Sequence, residues 1–201
     1  NPDGSNIQFI EALGENANKV EVDWSPTRKI VALSHTGNSL GADRQEVLLI
    51  GQNKENFKSL TVEGRGLQSE WSPTGQQLLY SAYSARSDYK PELWIVNADG
   101  DQIDTNRRPL LLNTWANKCA FATERYVYCG VPVELSVGAG FEPSVADNTP
   151  DQIYRIDLAN GSKTTIATDA AHVIEQIFVS QDGKTLQFTD KTQSGIFTID
   201  L

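Results

Sequence analysis

The 201 residues predict an all-β fold assembled from a four-stranded unit that repeats. Three observations carry that prediction. Trp24-Ser25-Pro26 recurs as Trp71-Ser72-Pro73, 47 residues further on. A short β-branched and aromatic run recurs as VLLI (47–50), LWIV (93–96), IYRI (153–156) and IFTI (196–199), and such residues suit a pleated sheet. Clusters of Gly, Pro, Asn and Asp separate these runs, each residue type favouring turns for its own reason.

The stretch from Glu70 to Gly100 shows the unit best. Leu67, Ser69 and Trp71 alternate with Gln68 and Glu70, the period-two pattern of a strand. Pro73 to Gln76 turns the chain, with Pro fixing φ and Gly75 free to take a positive one. Leu78, Leu79 and Tyr80 make a second strand, which polar residues from Ser84 to Lys90 and then Pro91 end. Leu93 to Val96 is the third strand, closed by the turn Asn97-Ala98-Asp99-Gly100. Pro109 to Asn113 is read as the fourth.

Adding 48 to Trp71 places Cys119 at the Trp position of the next unit, with Tyr126, Val127 and Tyr128 on Leu78, Leu79 and Tyr80. Val179 to Gly183 opens the last copy, with Leu186 and Phe188 on Leu78 and Tyr80. Four units of this size read as β-propeller blades of four strands each. Their approximate bounds are 20–62, 67–113, 115–166 and 175–201 plus 1–12, within a single domain 1–201.

The two ends match in phase. Asn1-Pro2-Asp3-Gly4 aligns with Asn97 to Gly100, which makes Ile7 to Ala12 a fourth strand without its own blade. Ile196 to Leu201 is a third strand with no fourth after it. Pairing the two would close a four-bladed ring and remove an open edge. The alternative is part of a larger propeller.

The patterns WSPTGQQLLYSA and LWIVNADG resemble the repeats of the TolB translocation protein and the related WD-like propeller family. In that family a W-S-P-D-G turn precedes one strand and I-Y-x-x-N-A-D-G ends another. The resemblance covers nearly the whole chain and implies the fold; the fold itself hosts many roles. Copies three and four depart from it, with Cys119-Ala120-Phe121 in place of W-S-P and Ser180-Gln181 in place of S-P.

Composition narrows the classes. Hydrophobic residues make up 39% of the chain, ordinary for a soluble fold. No apolar run approaches the roughly 18 residues that cross a membrane. The net charge of −9 argues against nucleic-acid binding, which depends on clustered Lys and Arg. The chain has no Met, so a mature product or an excised domain is expected.

Loop lengths point to one elaborated face. The connections between second and third strands run over 35–45, 81–92 and 132–151; the last exceeds the ~12–15 residues beyond which loops are uncommon and often functional. In a propeller, equivalent loops emerge on one side, together with those entering each first strand. Tyr83, Tyr89, Trp115 and Phe141 fall in or beside these loops, near Arg44, Arg65 and Arg86 and the loop carboxylate Glu142. Trp, Tyr and Arg are enriched in interface hot spots, so these eight residues are the expected binding face; the competing reading is that the rings cover sheet ends. Trp24, Trp71, Trp94, Tyr80, Tyr128, Tyr154 and Phe188 recur at repeat positions and are expected in the core.

Catalytic signatures are weak. The chain holds two His, His35 and His172, each in a predicted loop, and no G-x-S-x-G elbow for a triad. Two His without a neighbouring ligand leave a catalytic zinc site short of its three protein ligands. Asp99, Asp101 and Asp104 match no calcium loop and are read as turn formers. Glu21, Asp23 and Glu70 sit on predicted innermost strands, with Lys118 taken as their equivalent, edging a central channel. No cofactor and no metal are therefore expected.

The function expected is a non-catalytic binding or scaffold module. Its partner would be a protein or envelope polymer on the long-loop face. The alternative is an enzyme or accessory domain acting on glycan or peptide through Glu142 and Asp147. The two cysteines bear on location. If the turn between their strands has three residues, Thr123 to Arg125, Cys119 and Cys129 face each other within disulfide range. A two-residue turn would put them on opposite faces, and buried free thiols are the other reading. The TolB resemblance favours an oxidising envelope compartment, hence a disulfide and an extracytoplasmic chain.

Overall fold

The computed structural model describes residues 3–5, 7, 9, 10, 12, 19–41, 43–53, 55 and 57–201. Among these the chain forms four antiparallel sheets in sequence order. The first holds β1 (Val20–Val22), β2 (Ile30–Ser39), β3 (Gln45–Gly51) and β4 (Leu60–Val62). The second holds β5 (Arg65–Trp71), β6 (Gln77–Tyr83), β7 (Pro91–Asn97) and β8 (Arg108–Pro109). The third holds β9 (Cys119–Phe121), β10 (Tyr126–Pro132), β11 (Asp151–Asp157) and β12 (Lys163–Ile166). The fourth has three strands, β13 (Ile174–Val179), β14 (Thr185–Asp190) and β15 (Ile196–Asp200). Each strand pairs with its neighbour in the chain, so the sheets are meanders.

Alternation of side chains gives each sheet two faces, and the core lies between consecutive sheets. Leu33, Val47 and Leu49 of the first sheet pack on Trp71, Leu78, Tyr80 and Trp94 of the second. The reverse face of the second sheet, Leu79, Leu93 and Ile95, packs on Val127, Cys129 and Ile156 of the third. Tyr128 and Ile153 of the third then meet Ile174, Ile177, Leu186 and Phe188 of the fourth. The predicted turns hold the hairpins: Ser72 N–H donates to Gln77 O at 2.9 Å, and Gly75 takes φ +72°, a conformation that favours glycine.

The third unit runs in a different register from the one the sequence suggested. Phe121, not Cys119, occupies the place of Trp71: Trp71 pairs with Leu78 and Leu78 with Val96, as Phe121 pairs with Val127 and Val127 with Ile156. The first strand is thus offset by 50 residues and the second by 49, the hairpin turn of the third unit being one residue shorter. In this register Ala120 stands where Glu70 does, and Lys118 corresponds to Gln68 rather than to Glu70.

The shorter turn is the three-residue turn that a direct cysteine pair requires. Ala122 N–H donates to Tyr126 O at 2.9 Å, Cys119 pairs with Cys129, and the two form a disulfide with Cα atoms 4.1 Å apart. Both are buried between the second and third sheets. Intact-mass measurement with alkylation of unfolded, unreduced protein should find no free thiol. Because the closed loop is short, replacing both cysteines by Ala should cost at most ~3 kcal/mol in denaturant unfolding.

Among the described residues the N-terminal segment does not close a ring. Among the described residues β15 pairs with β14 alone, and Ile7, Phe9, Ile10 and Ala12 lie outside any strand; Gln8 and Glu11 fall outside the described residues. Ile10 instead meets the outer face of the first sheet, beside Val20, Val22 and Trp24. That face corresponds to the one through which each later sheet packs on its predecessor, and among the described residues no sheet covers it. Trp24 is consequently 48% exposed whereas Trp71 is 7% exposed, so its expected core role is not met.

Candidate functional site

The three long connections meet on one side of the molecule. The 132–151 loop docks on the 81–92 loop through the backbone: Gly138 N–H donates to Asp88 O at 2.9 Å and Gly140 N–H to Tyr89 O at 2.8 Å. Asp88 and Tyr89 hold φ near +54°, which turns their carbonyls toward that loop. The Tyr83 ring sits where only glycine leaves room. A Cβ on Gly140 would lie 2.5 Å from it, and one on Gly66 at 2.4 Å. Phe141 then packs on Tyr83 and Tyr89, with ring centroids 4.7 and 5.1 Å apart. Phe141 remains 60% exposed and Tyr89 39%.

The 35–45 connection joins from the other flank. A cavity of about 330 Å³ lies between Leu40, Gly41, Asp43 and Arg44 on one side and Ser84 and Arg86 on the other. Arg44 is held by Glu63 at 3.0 Å, and Arg107 shares the same carboxylate at 3.1 Å. Arg86 lies over the Trp94 ring at 4.9 Å, with Glu92 at 3.5 Å. Arg65 is exposed at the end of β5, paired across the strand with Tyr83. Glu142 is exposed and accepts from Ser144 Oγ at 2.5 Å.

Trp115 departs from the sequence reading. It is 6% exposed and belongs to the packing rather than to the free surface. The local chain explains this. Thr114 Oγ1 donates to Gly130 O at 2.5 Å and Ala116 N–H to Ser81 Oγ at 3.1 Å, which draws 114–116 inward. Trp115 walls a pocket of about 130 Å³ where the second, third and fourth sheets converge.

Sequence reasoning missed the polar framework beneath this pocket. Lys118 Nζ bonds both carboxylate oxygens of Asp151 at 2.7 Å, with side chains 7% and 0% exposed. Burial pushes the Lys118 ammonium below its ordinary pKa and the Asp151 carboxyl above its own, each partner opposing the other's shift. Asp151 also accepts from Ile174 N–H at 2.7 Å, which ties the third sheet to the fourth. Lys191 pairs with Asp147 across the same rim. Nearby, His172 is buried between Asp190 at 2.9 Å and Asp169 at 3.3 Å, its ring against Phe188 and Phe197. The separations of 33 and 18 residues explain why spacing gave no sign of either pair.

On the inner strands, Ser69 Oγ donates to Asp23 Oδ2 at 3.0 Å. Burial first, then the charge of Asp23, raise the Glu70 carboxyl to about 7. Glu21 and Asp23 are raised in the same direction, also chiefly by burial. Asp104, read as a turn former, holds φ +69° and bonds Thr61 N–H at 2.9 Å and Arg107 at 2.7 Å. Among the described residues no three His, Cys, Asp or Glu side chains are grouped to hold a metal.

No family model matches this sequence, and no curated protein matches it either. Solved structures match its fold. A candidate TolB from Agrobacterium tumefaciens superposes with a TM-score of 0.55 at 15% identity, over 89% of this chain and 60% of the other. The β-propeller domain of the trilobed protease from Pyrococcus furiosus, whose propeller has an open velcro topology, gives 0.52 at 13% identity, over 88% and 52%. An oligogalacturonate lyase in complex with manganese gives 0.51 at 16% identity, over 83% and 43%. At such identities the likeness concerns the β-propeller fold alone. The chain spans about half the length of the solved structures it matches.

Proposed function

We propose that this chain is a non-catalytic binding module that engages a protein or envelope polymer through the face built by 35–45, 81–92 and 132–151. One observation supports the reading above the rest. The only place among the described residues where two long loops are bonded backbone to backbone also presents the exposed pair Tyr89 and Phe141, with Arg86 on the same 81–92 loop. Aromatic and Arg side chains on a rigid support are what interface hot spots are made of. Glu142 and Asp147, the carboxylates an enzyme reading would use, are engaged by Ser144 and Lys191, which favours a binding role. The disulfide supports an extracytoplasmic location, where such bonds persist.

A displayed peptide library and a preparation of cell-wall glycan, each presented to the purified chain, would supply ligands. Phe141→Ala and Arg86→Ala should each weaken the selected ligand by ~2 kcal/mol, roughly thirty-fold, in titration calorimetry. Unchanged affinity in both variants would remove this face from consideration.

A further inference from the structure

Trp24 and Ile196 each depart from a place that is buried elsewhere in the fold. Trp24 stands at the place of Trp71 and is 48% exposed against 7%. Val47, Leu93, Ile153 and Ile196 open the four third-strand runs; the first three are 0% exposed and Ile196 is 70% exposed. Strand pairing confirms the equivalence: Leu93 stands opposite Ser81, Ile153 opposite Gly130 and Ile196 opposite Thr189. The two departures are complementary. Val47, Leu93 and Ile153 are covered by the sheet that follows each of them, and Trp71 by the sheet that precedes it. Among the described residues Ile196 has no sheet after it and Trp24 none before it.

Both surfaces extend beyond these two side chains. Val20, Val22, Trp24 and Ile50 line a cavity of about 140 Å³ in the outer face of the first sheet, and Leu48 shares that face. Ile10 covers it only in part, since Val22 is still 71% exposed. On the fourth sheet Phe178, 50% exposed, lies with Ile196 on the face turned away from the third sheet. Gln187, Thr189 and Thr198 stand between them and carry no charge to desolvate. The end unit of a stack that stays single carries a polar outer face, which the first sheet lacks. Contiguous exposed apolar surface of this kind marks an interaction site.

We propose that two copies of this chain associate head to tail about a two-fold axis, the fourth sheet of each lying on the first sheet of the other. Ile196 of one copy then meets Trp24 of its partner as Val47 meets Trp71 within the chain. The occupant follows from the packing itself. The chain makes this sheet-to-sheet contact three times internally, and it carries both halves of a fourth. A single added contact would leave another pair of faces open and continue without end, whereas the two-fold closes both pairs at once. Four sheets from each copy also keep the total within the about four to eight blades usual for a propeller. The contact uses sheet faces rather than the 35–45, 81–92 and 132–151 connections, so it stands or falls independently of the binding function proposed above.

The test is sedimentation equilibrium of the purified chain, which should give twice the mass of one chain. Trp24→Lys and Ile196→Lys each set a charge on one of the two open faces. Neither residue is buried in the single chain, so both variants should keep the parent's circular dichroism. Alone, each variant carries one damaged face into both contacts and should dissociate roughly tenfold more readily, or more, than the parent. Mixed in equal amounts, the two regain one intact contact, between the fourth sheet of the Trp24→Lys chain and the first sheet of the Ile196→Lys chain. A heterodimer should then appear under conditions where neither variant pairs with itself. Val22→Lys and Phe178→Lys repeat the experiment at neighbouring positions, with the same expected result. Phe141→Ala, on the loop face, should leave the parent's dimer unchanged. A monomeric parent would overturn the proposal and leave both faces to a different occupant. An open-ended series of larger species, or a mixture without heterodimer, would overturn it too. A dimer that survives both Ile196→Lys and Phe178→Lys would mean that first sheet meets first sheet, and the head-to-tail arrangement would be wrong.

Discussion

Lys118→Met should destabilise the chain by about 3–5 kcal/mol. The substitution removes the ammonium and leaves the Asp151 carboxylate buried, 0% exposed, with only Ile174 N–H to bond it. Asp151→Leu should cost a similar amount by stranding the ammonium and freeing Ile174 N–H. The double variant should recover much of either loss, since a buried pair replaced by apolar groups of similar volume is often close to neutral. Urea unfolding of the four proteins gives the coupling directly. A Lys118→Met protein within 1 kcal/mol of the parent, or a double variant with additive losses, would show that the pair does not bear on the joint between the third and fourth sheets.

Much of the fold was legible because strand and turn chemistry is local. The W-S-P turn, the alternation from Leu67 to Trp71 and the four third-strand runs each lie within about ten residues, and each became the element they suggested. The cysteine pairing was legible for the same reason: a hairpin register depends on its turn, and the turn has three residues. Equivalence between units was less legible. The third unit lacks Trp at the marker position, and its first strand lies two residues and its second one residue further along than the pattern suggested, the turn between them being one residue shorter, while the third strand keeps its place.

The arrangement of the long loops was legible in outline and not in its contacts. Loop length marked the elaborated face, and Tyr83, Tyr89 and Phe141 do come together there. Exposure could not be read from loop position. Trp115 lies in a loop, yet hydrogen bonds from Thr114 and Ala116 turn it inward. Trp24 lies at a repeat position, yet among the described residues no sheet lies against it, and burial of that position depends on a preceding sheet rather than on its own sequence. The ion pairs under the pocket join residues 33 and 18 positions apart, brought together by strand order within a sheet, which no local pattern encodes.

The inner strands should make stability fall as pH rises, the reverse of ordinary acid sensitivity. The Glu70 carboxyl, raised to about 7 by burial and then by Asp23, stays protonated in the fold to near neutrality. In the unfolded chain it releases its proton from its ordinary value of 4.5 upward. Between those values the unfolded state binds fewer protons, so stability declines through this window and levels off above it. Glu21 and Asp23, also raised, act in the same direction. The full shift would correspond to about 3 kcal/mol, and partial exposure of the site reduces this to on the order of 2 kcal/mol. Glu70→Gln keeps the shape and cannot ionise. It should therefore match the parent near pH 4.5 and exceed it by that amount at pH 8, with a flatter profile between. Urea unfolding at half-unit intervals from pH 4.5 to 8.5 measures both curves. Parallel profiles for the two proteins would mean that Glu70 ionises as freely in the fold as in the unfolded chain, and that its inner-strand position carries no electrostatic cost.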